Sequence, residues 1–334
     1  MVIFIDKNNY VIPTNIFSTN SIYLSYIYLG GYLDKDLRLS PSSGNAIAKS
    51  KSLTFVKAFA EGIERRSLGF GGNENHEGNV ITWDLISQEQ KTIPFEYTKY
   101  SIKQPYCIDT TGTSAHYSST EAIKGAILEL IEKNILFLFW YGKQGLRLPL
   151  SDEILKDIHF KMLINEGFEV LVFRNDDFYP LIAIVVIVHN NKQLISSGSA
   201  VGFSFNEVLE KALAEAYVIK WSYLSLNLTQ HYSKEIDEHL SSFPIGNQAK
   251  SENYTLKSDI SNILDVLPDW VSNMHIIFLK NTVFPRLKCV KAFSTDLNNH
   301  VPFKDSLNLN STINKKTLKL STKELKLLPE CIVI

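Results

Sequence analysis

Three stretches of the chain align without a gap: SGNAIAKSKSLTFVKAFAEG from Ser43, TGTSAHYSSTEAIKGAILEL from Thr111 and SGSAVGFSFNEVLEKALAEA from Ser197. Each opens on a hydroxyl residue followed by Gly: Ser43-Gly44, Thr111-Gly112 and Ser197-Gly198. Six residues after the Gly stands Ser50, Ser118 or Ser204, fourteen after it Ala58, Ala126 or Ala212, and seventeen after it Glu61, Glu129 or Glu215. The spacing predicts one strand-turn-helix unit used three times. The Gly permits a tight turn or a close backbone approach. The Ser caps the helix, and the Ala lets it lie close against a neighbour. The Glu falls three positions after the Ala, on the same helical face.

Two of the copies carry a second Glu three residues on, pairing Glu61 with Glu64 and Glu129 with Glu132. With Glu215, five carboxylates occupy equivalent faces of three related helices. Like charges gathered in a partly buried place call for cations. Mg²⁺, an oxygen-seeking ion that bridges carboxylates to phosphates, is the natural partner. Basic residues accompany the carboxylates: Arg65 and Arg66, Lys133, Lys211, and Lys57 at the matching place in the first helix. The pattern points to a nucleoside triphosphate held with Mg²⁺. A plainer reading competes with it, since Glu and Lys at helical spacing ordinarily form a solvated face. Glu121 follows Ser118 at the capping-box spacing, which sets a capping role against a sixth metal ligand.

Around the repeat, the composition describes a globular protein. Of 334 residues, 45% are hydrophobic and 21% charged, which excludes a disordered chain. The formal charge of −1 gives no global attraction to nucleic acid or acidic membranes. Three cysteines with no C-x-x-C pair argue against a disulfide framework or a zinc ribbon and suit a reducing cytoplasm. The N-terminus is not a signal peptide, and the longest apolar run, Leu181 to Val188, reads as a buried strand rather than a membrane span.

Periodicity predicts helices over Ser50–Leu68, Ser118–Tyr141 and Ser204–Leu228, and strands over Gly167–Phe173, Leu181–Val188, Met274–Leu279 and Leu287–Phe293. Tyr232–Ser272 reads as loops with a short helix. The fold class is α+β, mixed sheets with the three repeated units around one nucleotide site. One domain is expected over residues 1–334, with a core of about 44–300 and a tail, 304–334, loosely ordered up to its apolar end. The Gly-rich stretch Gly69 to Gly72, in GFGGN, lacks a phosphate-loop ending and is read as a helix C-terminus. LFLFWY reads as core, and Cys331 as a plain thiol.

These residues resemble the YcaO superfamily of ATP-dependent enzymes that modify peptide backbones. KAFAEGIERRS resembles its first signature and GTSAHYSSTEAIKGAILELIEKNILFLFW, with Trp140, its second. SSGSAVGFSFNEVLEKALAEAYVIKW resembles the third, and CVKAFSTDLNNHV, with His300, its late strand and turn. The flavour is that of the synthetase subunit of microcin-B-type azole peptides. The resemblance implies an ATP-dependent cyclodehydratase. A Cys, Ser or Thr side chain of a ribosomally made precursor peptide attacks the preceding amide. The amide oxygen is phosphorylated by ATP and leaves as phosphate, and a thiazoline or oxazoline ring remains.

By matching positions, Glu61, Glu64, Glu129, Glu132 and Glu215 are implied as Mg²⁺ ligands or as groups that hold them, with Glu121 a sixth. Glu61, Glu129, Lys133 and Glu215 are implied to carry the chemistry. Lys57, Arg65, Lys211, Ser114 and His116 are implied around the nucleotide. The resemblance also implies partners: the precursor peptide, a protein related to ubiquitin-activating enzymes that recognises its leader, a flavin-dependent dehydrogenase, and a dimer within a hetero-complex. Relatives carry Arg then Asp where this chain has Lys133 and Asn134, and a Pro-rich tail where it has PECIVI. Two alternatives stand beside the azoline reading: thioamide or amidine formation on a peptide, and a non-catalytic scaffold subunit of a synthetase complex.

Overall fold

A computed structural model describes residues 10–11, 22–30, 39–101, 107–190, 193–226, 230–246 and 259–333. The chain divides into two compact units. The first comprises Met1–Leu130 and Asp269–His300, the second Ile131–Pro268 and Val301–Ile334.

The first unit holds two antiparallel sheets. β1 (Tyr10–Val11), β2 (Tyr23–Tyr28) and β3 (Ser43–Ala48) form one, in that order. The other has the order β5-β4-β12-β13-β6, with β4 at Asn79–Asp84, β5 at Glu89–Pro94, β6 at Thr113–His116, β12 at His275–Phe278 and β13 at Lys288–Phe293. Helix α1 (Lys51–Phe70) lies against β3 and β2. The core under it joins Ile27, Ala58, Ile63, Leu68, Val80, Ile277, Cys289 and Phe293. Ser50 caps α1 by accepting from the Leu53 amide at 3.2 Å, and Gly71, with φ +69°, closes it. The GFGGN stretch is therefore a helix end, as read from the sequence.

Helix α2 (Ser119–Gly142) carries the second repeat, and the division between units falls within it, after Leu130. The second unit's sheet has the order β11-β10-β9-β8-β7. These strands run over Gln230–His231, Gln193–Gly202, Ile182–Asn190, Glu169–Asn175 and Leu146–Arg147 respectively. β9 is buried along almost its whole length, which explains its unbroken apolar sequence. Helices α3 (Asp152–Lys156), α4 (Ile158–Asn165), α5 (Phe205–Leu226), α6 (Lys234–Ser241) and α7 (Ile260–Leu264) follow the chain, and α5 packs on β10. The aromatic run ending α2 is core: Phe137, Phe139, Trp140 and Tyr141 are buried.

The tail departs from the loose order expected of it. It forms α8 (Thr312–Lys316) and α9 (Thr322–Leu327), each opened by a capping Ser. Ile313, Asn314, Cys331, Ile332 and Val333 are buried. The Asn314 side chain explains part of this order. Its amide donates to Leu309 O and Leu320 O, and its carbonyl accepts from the Leu320 amide. Such internal pairing lets a polar segment hold a shape.

The repeat is real in three dimensions. A Cβ built at Gly44 would stand 2.1 Å from Ala58 O and 2.7 Å from Gly62 N. One at Gly198 would stand 2.2 Å from Ala212 O and 2.5 Å from Ala216 N. At Gly112 the corresponding neighbours are Leu130 Cβ at 3.3 Å and Ala126 O at 3.6 Å, with Ala292 O at 2.7 Å. Each repeat Gly thus faces its own helix at the Ala fourteen residues later.

Candidate functional site

The strand-on-helix contact fixes where the repeat carboxylates lie. In the first unit the Asn45 amide donates to Glu61 Oε2 at 2.6 Å. In the second the Ser199 amide donates to Glu215 Oε2, also at 2.6 Å. Asn45 and Ser199 are the residues immediately after Gly44 and Gly198, so the repeat delivers the same bond twice. In the middle copy the Thr113 amide donates instead to Thr110 O at 3.1 Å.

The first unit brings Glu61, Glu64 and Arg65 together. Arg65 Nη2 lies 2.6 Å from Glu61 Oε1, and its Nη1 donates to Ser43 O at 3.3 Å. Glu64 Oε1 is 2.7 Å from Thr113 Oγ1, which also lies 2.6 Å from Thr110 O. Burial pushes the Glu64 carboxyl up to about 7; the Thr113 hydroxyl opposes the shift, and the neighbouring Glu61 carboxylate adds to it. Burial likewise raises Glu61, against the pull of Arg65 and of the Asn45 amide.

A residue with no signal in the sequence completes this cluster. Lys291, on β13, is fully buried. Its ammonium donates to Thr111 O at 2.7 Å and Asp109 O at 3.3 Å. Burial lowers its pKa to about 8, and the carboxylates of Asp109, Glu129 and Glu64 pull it back up. Lys291 sits opposite Thr113 in the β13–β6 ladder. Only that long-range pairing reveals it; a lone Lys in a strand-like run carries no signal by itself.

The second unit joins Glu132, Lys133 and Glu215 through Ser199. Ser199 Oγ donates to Glu132 Oε1 at 2.6 Å, and Lys133 Nζ reaches the same oxygen at 2.9 Å. Lys133 is buried, so its charge is spent on Glu132 inside the protein. The C-terminal residues pack beside this pair. Trp140 Nε1 donates to Pro329 O at 3.1 Å and Ser197 Oγ to Ile332 O at 3.1 Å. Burial pushes the Cys331 thiol up to about 12, and the Lys133 charge pulls the other way. PECIVI is not Pro-rich, yet its Cys331 feels the charge of Lys133.

The other sequence-predicted positions stand apart from these contacts. Lys57 and Lys211 are exposed on their helices. Glu121 is exposed at the start of α2 and pairs with Lys124. Its amide lies 3.5 Å from Ser118 Oγ, as a capping turn requires. His116 is exposed, and its Nδ1 accepts from the Ser118 amide at 3.0 Å. Ser114 is half-buried and faces α2 at Gly125, where a Cβ would come within 2.4 Å of its Oγ.

The donor set suits Mg²⁺ bound together with phosphates. The carboxylates offer oxygen only, and Glu64 is held partly buried at a cost that a cation would relieve. Among the described residues no three His, Cys, Asp or Glu side chains form a metal cage by themselves. Mg²⁺ does not ask for one, because it keeps waters and takes one or two carboxylates plus substrate phosphates.

A family model described as YcaO cyclodehydratase, ATP- and Mg²⁺-binding, matches residues 72–273, and the chain belongs to that family. The microcin B17-processing protein McbD of Escherichia coli is 26% identical over 251 residues, a match covering 66% of this chain and 63% of McbD. The match thus spans less than two thirds of that relative's length. Among solved structures, YcaO from Methanopyrus kandleri bound with AMPPCP and Mg²⁺ superposes with a TM-score of 0.67 at 14% identity, covering 87% of this chain and 86% of that one. A chain of the E. coli microcin synthetase McbBCD complex with pro-MccB17 bound gives 0.67 at 17% identity, covering 97% and 96%. These likenesses establish the YcaO fold for the chain. Among the described residues no helix is long and apolar enough to cross a membrane.

Proposed function

We propose that the protein is an ATP- and Mg²⁺-dependent cyclodehydratase that forms thiazoline or oxazoline rings on a ribosomally made precursor peptide. The observation that carries this reading is the paired seating of carboxylates in a chain of a family described as ATP- and Mg²⁺-binding. Asn45 and Ser199 fix Glu61 and Glu215 through backbone amides, and Thr113 and Ser199 reach Glu64 and Glu132 through hydroxyls.

Glu61, Glu64 and Glu129 in the first unit, and Glu132 and Glu215 in the second, are the proposed Mg²⁺ ligands or the groups that hold them. Arg65, Lys133 and Lys291 balance their charge. Ser114, His116, Lys57, Lys211 and Glu121 complete the proposal as contacts to the nucleotide or its metals. Bound Mg²⁺-ATP supplies the phosphoryl group that converts an amide oxygen into a leaving group. The protein's own contribution is positioning and fixed charge, which is where catalysis of phosphoryl transfer resides. For each ring, the peptide's Cys, Ser or Thr heteroatom gives up its proton and bonds to the preceding carbonyl carbon, and the amide nitrogen gives up its proton as the ring C=N bond forms. That carbon's oxygen departs as phosphate, leaving ADP.

McbD is a microcin B17-processing protein, and the McbBCD structure holds pro-MccB17. By that analogy the chain works inside a hetero-complex, and its free cysteines suit the reducing cytoplasm. A partner related to ubiquitin-activating enzymes presents the peptide, and a flavin dehydrogenase oxidises the rings.

Calorimetric titration of a non-hydrolysable ATP analogue with Mg²⁺ tests the site. Micromolar binding by the wild type, lost in Glu61→Gln plus Glu129→Gln, is the expected result. A folded wild type that binds nothing, alone or with its partners, would turn the reading to a scaffold subunit.

A further inference from the structure

Ser199 is buried, 6% exposed, and makes two bonds to two carboxylates from different helices. Its amide holds Glu215 of α5 and its hydroxyl holds Glu132 of α2, both at 2.6 Å. It is anchored by the residue before it, Gly198, whose contact with Ala212 O and Ala216 N leaves β10 no room to slide on α5.

The hydroxyl contact recurs. Glu64 and Glu132 are the second carboxylates of their E-x-x-E pairs, each twenty residues after its repeat Gly. Thr113, the residue after Gly112, places Oγ1 2.7 Å from Glu64 Oε1, as Ser199, the residue after Gly198, places Oγ 2.6 Å from Glu132 Oε1. In both cases the residue after the Gly of one copy holds the second Glu of the copy before it. A packing accident has no reason to reproduce the copy, the position and the chemical group. We propose that Ser199 and Thr113 are positioning residues. Their hydroxyls fix one oxygen of Glu132 and of Glu64, so that each carboxylate meets Mg²⁺ in a set orientation. The inference rests on the reading of Glu64 and Glu132 as Mg²⁺ ligands. Groups that orient metal ligands from behind are typically worth about ten- to a hundredfold in metal affinity.

The test is a Mg²⁺ titration of the full chain at saturating non-hydrolysable ATP analogue, read by calorimetry, with thermal unfolding measured on the same samples. Ser199→Ala and Thr113→Val should raise the half-saturating Mg²⁺ concentration about tenfold or more. Thr113→Ser, which restores the hydroxyl, should return it to the wild-type value, whereas a purely structural role would track the unfolding temperature instead. Glu132→Gln and Glu64→Gln are the reference variants. If these weaken Mg²⁺ binding while Ser199→Ala and Thr113→Val titrate like wild type, the positioning role is overturned and the ligand assignment stands. If the Gln variants also titrate like wild type, the ligand assignment falls and the inference falls with it. Should Ser199→Ala fail to fold, the nearly isosteric Thr113→Val against Thr113→Ser decides: equal Mg²⁺ affinities overturn the proposal.

Discussion

Lys291 Nζ lies 2.7 Å from Thr111 O, and the bond ties a fully buried cation to the residue that opens the second repeat. The carboxylates of Asp109, Glu129 and Glu64 act electrostatically on the same ammonium. Lys291→Met keeps the volume and removes both the donors and the charge. Taking one member from a buried ion cluster costs about 3–5 kcal/mol. A loss of that size is expected in chemical denaturation at pH 7, where Lys291, titrating near 8, still carries its charge. It should shrink at pH 5, where Glu64, titrating near 7, is already neutral. An equal loss at both values would show that the two carbonyl bonds, rather than the charge, are what Lys291 supplies.

Glu64 makes a prediction of its own. Its carboxyl sits near 7 in the folded chain against an ordinary value of 4.5. Between those values the folded chain keeps a proton that the unfolded chain releases. The stability this contributes is complete below about pH 4.5 and is lost as pH rises through about 7. The unfolding temperature measured without divalent cations should therefore fall between pH 5 and pH 8 more steeply for wild type than for Glu64→Gln. Parallel curves for the two proteins would contradict the shift.

The repeat glycines are testable by a single methyl. Gly44→Ala and Gly198→Ala place a Cβ 2.1 and 2.2 Å from carbonyl oxygens of α1 and α5, neither of which can rotate away. Forced overpacking of this kind costs about 1–3 kcal/mol or more. Both variants should lose at least about 2 kcal/mol in urea unfolding, within that range. Wild-type stability in either would mean that strand and helix slide freely.

Thiol chemistry separates the three cysteines. Burial pushes both Cys289 and Cys331 up to about 12, so neither supplies thiolate near neutrality. Cys107 is only half-buried. At pH 8 a thiol reagent should modify one equivalent quickly, and three only after denaturation. A fast second equivalent lost on Cys331→Ala would show that the tail detaches.

Much of this site was legible because its distances along the chain are short. A strand, a turn and a helix of set length bring Gly44 onto Ala58 and Asn45 onto Glu61 whatever the rest of the molecule does, so the offsets could be read directly. The three long helices and the apolar β9 announced themselves by period and by length. Lys291, Thr113 and Ser199 were silent for the opposite reason. The distant groups their side chains reach lie 49 to 182 residues away, joined by sheet register and by contact between copies. The order of the tail was equally hidden, since a composition rich in Asn and Ser does not disclose that Asn314 satisfies three backbone groups. The exposure of Lys57 and Lys211 was also beyond the pattern, because helical spacing names a face without saying what covers it.

The seating of Gly44 and Gly198 on their own helices is a contact of main chain with main chain. Substitutions elsewhere leave such a contact alone, so a duplicated copy of the unit inherits the placement of its acid without inheriting its neighbours. The unit therefore behaves as a jig. Two helices, α1 and α5, that share little beyond a Ser, an Ala and a Glu still hold the acid on the same amide of their strands, and each surrounding pocket is left free to diverge.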